Sequence, residues 1–262
     1  MLRDKKRMLL AAVGACVLMA VLVLVACVGN RKDEPERKPI RMGVKSVEPT
    51  EDSSDFVMLS DVAPDILQEI RYYTTYNFMG KQMIDYDAPV ALLTKESADA
   101  LFQVNEKLKR NGYCLKVYDA YRPQGTVDAM YQWSMDETNI VTKKSFYPNI
   151  DDKKRLFREG YLNQQSAYTR GSTVAVTLVD LAAGREVDMG STFDYFDEIS
   201  LRNSDLISEE QRANRNYLEK MMKDGGFIQS GNVWWQFTLV EEPYPETYFE
   251  FPVDVLTKEV YF

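Results

Sequence analysis

Histidine is absent from this chain of 262 residues. Its absence removes the commonest metal ligand and the commonest general base from any chemistry that the protein could perform. Positive charge is also in deficit, because the formal net charge is −8. No stripe of Lys and Arg alternates with aromatic residues, which argues against nucleic acid as a partner. What is present, 45% hydrophobic and 12% aromatic residues, is enough to build a folded core.

The N-terminus has the pattern of a bacterial lipoprotein signal peptide. Residues 3–7 are mostly basic, residues 8–25 are apolar or small without a break, and the letters LVAC at 24–27 close the run. Small residues before a cysteine resemble the lipobox, in which the cysteine receives a lipid and the preceding peptide is removed. The pattern predicts a signal peptide at 1–26, a lipid on Cys27, and a place on a membrane in the bacterial cell envelope, outside the cytoplasm. An uncleaved signal-anchor helix is the alternative, because the apolar run approaches the length that spans a bilayer.

Residues 27–54 are predicted to be a lipidated, solvated tether. Charged residues alternate there with prolines, and few large apolar side chains occur. Removal of residues 1–26 would take Cys16 away and leave Cys114 as the only cysteine besides Cys27. No intramolecular disulfide is therefore expected, and the remaining residues, 55–262, are predicted to form one domain that relies on its core.

Helices and strands are predicted to alternate irregularly along this domain, which favours an α+β fold with a central antiparallel sheet and flanking helices. Apolar spacing, caps and glycine stops predict helices at 94–110, at 123–133 and from 208 to the glycines at 225–226. Ser208 and Gln211 have the spacing of a capping box. Runs of β-branched and aromatic residues predict strands at 113–119, 172–180 and 232–239.

Four segments of the domain, taken in order, resemble D-alanyl-D-alanine dipeptidases of the vancomycin-resistance type. They are YDAYRP at 118–123, SAYTRGSTVA at 166–175, DMGSTFD at 188–194 and VWWQF at 233–237. The resemblance extends over nearly all of residues 56–254, and the motifs are specific as a set although no single one is. It implies a single α+β domain of the DD-peptidase/Hedgehog-like kind.

The resemblance also implies a zinc site with three protein ligands, an open position for water and a glutamate that takes the water's proton. At the three ligand positions this chain has Tyr168, Ala175 and Gln236, and at the position of the base it has Val233. Alanine and valine offer no lone pair, and a neutral amide is a poor zinc donor. A tyrosine binds metal only after losing a proton whose ordinary pKa is about 10. No zinc or other cofactor is expected unless the family ligands were restored.

The substrate-facing residues of the family are retained. By resemblance, Arg122 is the arginine that stabilises the tetrahedral oxyanion, and Tyr72, Ser166 and Asp194 hold the dipeptide, with Asp194 suited to its free amine. Structural roles are open for each of them, since Arg122 could pair with Asp119, Asp194 could cap a turn, and the other two could be packing residues. Without a histidine to activate it, Cys114 is expected to be a buried small residue.

These observations predict a pseudoenzyme: a lipid-anchored, dipeptidase-like protein that binds D-Ala-D-Ala-containing peptides or an envelope protein, or that has a structural role. The alternative is an active D-alanyl-D-alanine dipeptidase that uses a metal site made from other carboxylates, such as Asp180 or Asp188. A further alternative is an altered version of an active enzyme, because the substitutions fall on the chemical positions while their neighbours keep the family pattern.

Overall fold

A six-stranded mixed sheet organises residues 49–256, the part of the chain that this computed structural model describes. The predicted signal peptide, Cys27 and most of the tether lie outside the described residues. The strands are, in chain order, β1 Phe56–Met58, β2 Leu67–Gln68, β3 Leu92–Thr94, β4 Tyr113–Asp119, β5 Thr173–Asp180, β6 Arg185–Glu186, β7 Phe227–Gln229 and β8 Gln236–Leu239. β1 and β3 form a separate antiparallel pair.

The described helices are α1 Leu59–Val62, α2 Lys95–Lys109, α3 Gln124–Met135, α4 Lys143–Phe146, α5 Arg155–Arg158 and α6 Glu209–Lys223. Three short 3-10 turns lie at Arg71–Tyr73, Ala167–Arg170 and Glu198–Ser200. Between residues 49 and 256, none of the helices combines the length and the apolar character needed to cross a membrane.

The order of strands in the main sheet is β2-β4-β5-β8-β7, with β6 added at the far end of β5. All of these pairs are antiparallel except β2 with β4, which run parallel. The predicted α+β domain with an antiparallel sheet and flanking helices is therefore confirmed, with one parallel edge that the sequence did not indicate. β5 lies between β4 and β8 and is buried up to its last residue, because both of its faces are covered.

The two long helices are positioned by local signals that the sequence carries. The side chains of α2 that face the core include Leu101, Val104 and Leu108, and Asn105 on the same face accepts a hydrogen bond from the backbone of β4 at 2.8 Å. α6 begins with the predicted capping box, in which Ser208 and Gln211 each bond to the other's backbone amide. Such a cap fixes where a helix begins.

The predicted strand at 232–239 is wrong in its first half. Only its second half is β8, and β7 pairs with it through a turn in which Gly231 has φ +70°. Val233 instead forms an isolated bridge with Leu201, and Trp234 donates its backbone N–H to Ser200 at 3.2 Å. The apolar residues at 233–235 therefore lie in a buried loop that long-range backbone contacts hold, not in a strand of the sheet. A pattern of residue types does not distinguish a buried loop of this kind from a buried strand.

The chain upstream of residue 55 also takes part in the fold. Thr50 donates its backbone N–H to Tyr248 at 3.0 Å and accepts one from Glu250 at 2.8 Å. This pairing joins the start of the described chain to the segment near its end.

Candidate ligand-binding site

Three neighbouring strands bring the motif residues together. On β4, Asp119 is paired with Ala175 of β5, and Ala175 is paired with Gln236 of β8. Arg122 follows β4 directly, after a register shift in the ladder between residues 117 and 119. Tyr168 precedes β5, and its carbonyl accepts the backbone N–H of Arg122 at 3.3 Å. The motifs, far apart in sequence, therefore meet at one end of the central strands.

A cavity of about 160 Å³ lies at this place. Its lining includes all four residues that the sequence assigned to ligand binding, namely Tyr72, Arg122, Ser166 and Asp194. Of the positions at which the resemblance implies zinc ligands and a base, Tyr168 and Gln236 also line it. Ala175 and Val233 are fully buried but do not reach its surface. An apolar cavity of about 150 Å³ in another protein holds a benzene molecule, so the volume suits a small ligand.

A chain of buried polar groups forms the wall of the cavity. Tyr86 donates its hydroxyl to Asp119 Oδ1 at 2.6 Å, and Arg122 donates from Nε and Nη2 to Asp119 Oδ2 at 3.0 and 2.7 Å. The same Nη2 reaches Tyr72 Oη at 3.4 Å, and Tyr72 donates to Asp194 Oδ1 at 3.2 Å. Arg122 is thus both the ion-pair partner of Asp119 and a cavity residue. Its charge is already matched by Asp119.

Asp194 has a left-handed backbone conformation and a buried carboxyl group whose pKa is raised. Its φ is +62°, a left-handed conformation that Asp and Asn tolerate better than most residues. Its Oδ2 is buried and has no hydrogen-bond partner. Burial raises its pKa to about 7, against the opposing effects of Arg122 and the Tyr72 hydroxyl. The structure therefore places a carboxylate that lacks a cation of its own beside the cavity.

Tyr168 is held by its ring rather than by its hydroxyl. The Arg122 guanidinium lies 4.3 Å from the centre of the Tyr168 ring and 4.9 Å from that of Tyr72. Such contacts are cation–π interactions. The Tyr168 hydroxyl is buried without a hydrogen-bond partner. Burial raises the pKa of this phenol well above its ordinary value, so it keeps its proton at neutral pH.

These side chains do not fit the zinc that the resemblance implies. A protonated phenol offers no charge to a metal, Ala175 offers no donor atom, and Gln236 uses its amide nitrogen to donate to Ser230 at 3.1 Å. Among residues 49–256 there is no group of three or more His, Cys, Asp or Glu side chains arranged to hold a metal ion. A stable protein site for zinc uses three or four nitrogen, sulfur or carboxylate donors.

The carboxylates considered as an alternative metal site have local structural partners. Asp180 accepts the backbone N–H groups of Ala182 and Ala183 at 2.8 and 2.9 Å. Asp188 accepts from Gly190 at 2.8 Å and from the Gln211 amide at 2.9 Å. Neither residue lines the cavity. Both cap turns, a role typical of aspartate.

Sequence reasoning missed several residues of this site. Tyr86 orients Asp119, and Tyr161 and Trp235 line the cavity. No local spacing marks Tyr86, because its partner lies 33 residues away in the chain. A larger groove of about 820 Å³ shares Tyr161 with the cavity and is lined mainly by polar and charged residues of the loops around α5 and the Glu198–Ser200 turn. None of the predicted site residues lines that groove.

The fold and the site together define an α+β domain with a buried arginine–carboxylate centre at the end of its sheet. Residues 52–254 match the Peptidase_M15 family model, described as D-ala-D-ala dipeptidase. The chain belongs to this family.

Its curated relatives are D-alanyl-D-alanine dipeptidases. The protein of Enterococcus faecium is 36% identical over 198 residues, which is 76% of this chain and 98% of the relative. That of Streptomyces coelicolor is 35% identical over 201 residues, with 77% and 99% covered. That of Escherichia coli is 28% identical over 188 residues, with 72% and 86% covered.

Two solved structures overlap weakly with the chain. The LdcB LD-carboxypeptidase, described for its peptidoglycan recognition, has a TM-score of 0.37 and 17% identity, with 74% of this chain and 71% of that one covered. The vancomycin resistance D,D-pentapeptidase VanY in complex with Zn(II) has a TM-score of 0.34 and 13% identity, with 57% and 74% covered.

Proposed function

We propose that this protein is a non-catalytic member of the D-Ala-D-Ala dipeptidase family that binds D-alanyl-D-alanine, or short peptides ending in it, in the bacterial cell envelope. A lipid on Cys27 would hold it to the membrane. The observation that carries the proposal is a cavity that keeps the buried Arg122, Tyr72 and Asp194 network but offers no donor set for a metal.

Ligand binding is supported by the charge balance of the cavity. The guanidinium of Arg122 is neutralised by Asp119, whereas Asp194 has one carboxylate oxygen without a partner. A buried carboxylate in this state is stabilised by a cation. The free ammonium group of a D-Ala-D-Ala dipeptide supplies one, and Ser166 adds a hydroxyl to the same lining.

The absence of catalysis is supported by the residues at the family's chemical positions. Hydrolysis by the family route needs a metal that activates water and a carboxylate that takes its proton. Val233, at the position of the base, is a buried apolar side chain. In the described part of the chain no other carboxylate than Asp194 lines the cavity, and it already accepts from Tyr72.

Hydrolysis of D-Ala-D-Ala is the second candidate. It is favoured by membership of the family and by the names of relatives that are about 36% identical. One experiment separates the two candidates, because binding and turnover are measured on the same sample.

The experiment titrates D-Ala-D-Ala into the full-length protein in a calorimeter and then assays the sample for free D-alanine, with and without added zinc. We expect saturable binding and no D-alanine. N-acetyl-D-Ala-D-Ala, which lacks the ammonium group, should bind about ten- to a hundredfold more weakly, the range expected for the loss of a hydrogen bond to a charged group. Release of D-alanine by the protein would favour the second candidate. Absence of any binding would contradict the proposed function.

A matched pair of variants tests the role of Asp194. Asp194→Asn should weaken binding of D-Ala-D-Ala by a similar factor, because the neutral amide loses the charge that attracts the ammonium group. Asp188→Asn changes a carboxylate in the same segment that lies outside the cavity, so it should leave the affinity unchanged. Equal affinities of the two variants would contradict the assignment.

A further inference from the structure

The Tyr168 hydroxyl is a buried polar group that makes no hydrogen bond in the free protein. It has no hydrogen-bond partner, and the residue is buried, with 4% of its surface exposed. An unsatisfied hydroxyl in this environment is destabilising by an amount comparable to a whole hydrogen bond. Phenylalanine would fill the same space and stack on Arg122 in the same way without this penalty. Packing therefore explains the ring but not the oxygen.

The environment of this hydroxyl points to a ligand. Tyr168 lines the cavity, as does Asp194, and each has one buried polar atom without a partner. When Asp194 is ionised its free oxygen is an acceptor, and the phenol O–H of Tyr168 is a donor. A molecule that carries a positively charged donor and an acceptor oxygen a short distance apart would satisfy both. A small peptide with a free amino group has this arrangement, since its first carbonyl oxygen lies close to its ammonium group.

The side chain of Tyr168 can adjust to such a ligand. Its hydroxyl makes no hydrogen bond that would have to break, and the ring is positioned by packing and by the Arg122 guanidinium at 4.3 Å. Its backbone is fixed, because its carbonyl accepts the N–H groups of Arg122 at 3.3 Å and of Gly171 at 3.1 Å. The hydroxyl oxygen is closed off from solvent in the free protein, so its contact with a ligand requires a small rotation of the side chain while the backbone of the residue stays in place.

We propose that the Tyr168 hydroxyl donates a hydrogen bond to a carbonyl or carboxylate oxygen of a small peptide whose ammonium group is held by Asp194. Tyr168 is then a specificity-determining binding residue, placed where the family has a metal ligand. This inference rests on the proposed function and assigns one of its contacts.

The test compares Tyr168→Phe with Thr169→Val in the full-length protein. Thr169 belongs to the same 3-10 turn, and its hydroxyl is also buried without a partner, but it does not line the cavity. Both substitutions remove an unsatisfied hydroxyl, so each should raise the midpoint of thermal unfolding of the free protein by about 2–4 °C. Only Tyr168→Phe should weaken the binding of D-Ala-D-Ala, by about tenfold, measured by titration calorimetry.

The outcomes separate this inference from the proposed function. Binding by the unchanged protein together with equal binding by Tyr168→Phe would overturn the role of the hydroxyl and leave the proposed function in place. A lower unfolding midpoint in Tyr168→Phe would also overturn it, because the hydroxyl would then be satisfied in the free protein. No binding by the unchanged protein would overturn both proposals.

Discussion

Replacement of Asp194 by Asn should remove a pH dependence of the protein's stability that follows from the burial of one carboxyl group. The pKa of Asp194 is raised from 3.8 to about 7, mainly by burial. Asn keeps the shape, tolerates the same left-handed backbone at φ +62° and does not titrate. The substitution therefore removes a charge and leaves the fold otherwise the same.

The sign of the effect follows from proton linkage. Below about pH 3 the carboxyl is protonated in both the folded and the unfolded chain, and it contributes its full share of stability. As the pH rises from about 4 to 7, the unfolded chain ionises first and is favoured. A pKa difference from 3.8 to about 7 corresponds to about 4 kcal/mol of stability lost over this interval. The variant Asp194→Asn does not lose it.

The assay is urea unfolding of the unchanged protein and of Asp194→Asn at pH 4 and pH 8. The free energy of unfolding of the variant, relative to that of the unchanged protein, should rise by about 4 kcal/mol between the two pH values. Asp188→Asn is the control, because hydrogen bonds from Gln211 and Gly190 lower the pKa of Asp188 and give the opposite sign. A difference for Asp194→Asn that does not change with pH, or that falls as the pH rises, would show that burial does not raise the pKa of Asp194.

Three further predictions concern metal binding, the hydrogen bond between Tyr86 and Asp119, and membrane attachment. The protein should purify without stoichiometric zinc and keep its unfolding midpoint in a chelator, and one tightly held zinc per chain would contradict this. Tyr86→Phe leaves Oδ1 of the buried Asp119 without its donor, so it should lower the free energy of unfolding by about 2 kcal/mol in urea titrations, and an unchanged value would show that Asp119 finds another donor. Cys27→Ser should give an uncleaved precursor without lipid in mass spectrometry, whereas a processed protein without lipid would indicate an ordinary signal peptidase.

The parts of the fold that sequence predicts well are those set by local chemistry. Ser208 and Gln211 determine the beginning of α6 through contacts three residues apart, and they do so in the structure as predicted. Strand β5 can likewise be predicted from the sequence, because a strand covered on both faces needs apolar residues at nearly every position. The prediction at 232–239 was wrong in its first half because the backbone of Val233 pairs in an isolated bridge with Leu201, which is distant in sequence.

At the site, too, local sequence features could be predicted and long-range contacts could not. The three-residue spacing between Asp119 and Arg122 made their ion pair foreseeable, and the motif resemblance brought Tyr72, Ser166 and Asp194 into consideration. The resemblance did not reveal how deeply those residues are buried or which charged groups surround them. The high pKa of Asp194 depends on burial and on groups far away in the chain, which only the assembled fold brings together.

The ring of Tyr168 over Arg122 is also a consequence of assembly. The two residues lie on different motifs, and their contact depends on the pairing of β4 with β5. From sequence alone, Tyr168 was only a residue that could not replace a metal ligand. Its unpartnered hydroxyl becomes visible once the cavity around it is known.

If the cleft keeps the geometry that the family resemblance implies, its chemistry is missing at four side chains only. Restoring the implied ligands with Tyr168→His, Ala175→Asp and Gln236→His, and the implied base with Val233→Glu, tests this. Ala175 and Gln236 are already paired across β5 and β8, and Arg122, which the resemblance assigns to the charge that develops on the carbonyl oxygen, lines the cavity. The measurements are zinc content and release of D-alanine from D-Ala-D-Ala. We predict one zinc in the triple variant without the glutamate, and cleavage only after the fourth change. A triple variant that unfolds at the temperature of the unchanged protein but binds no zinc would show that the cleft does not have this geometry.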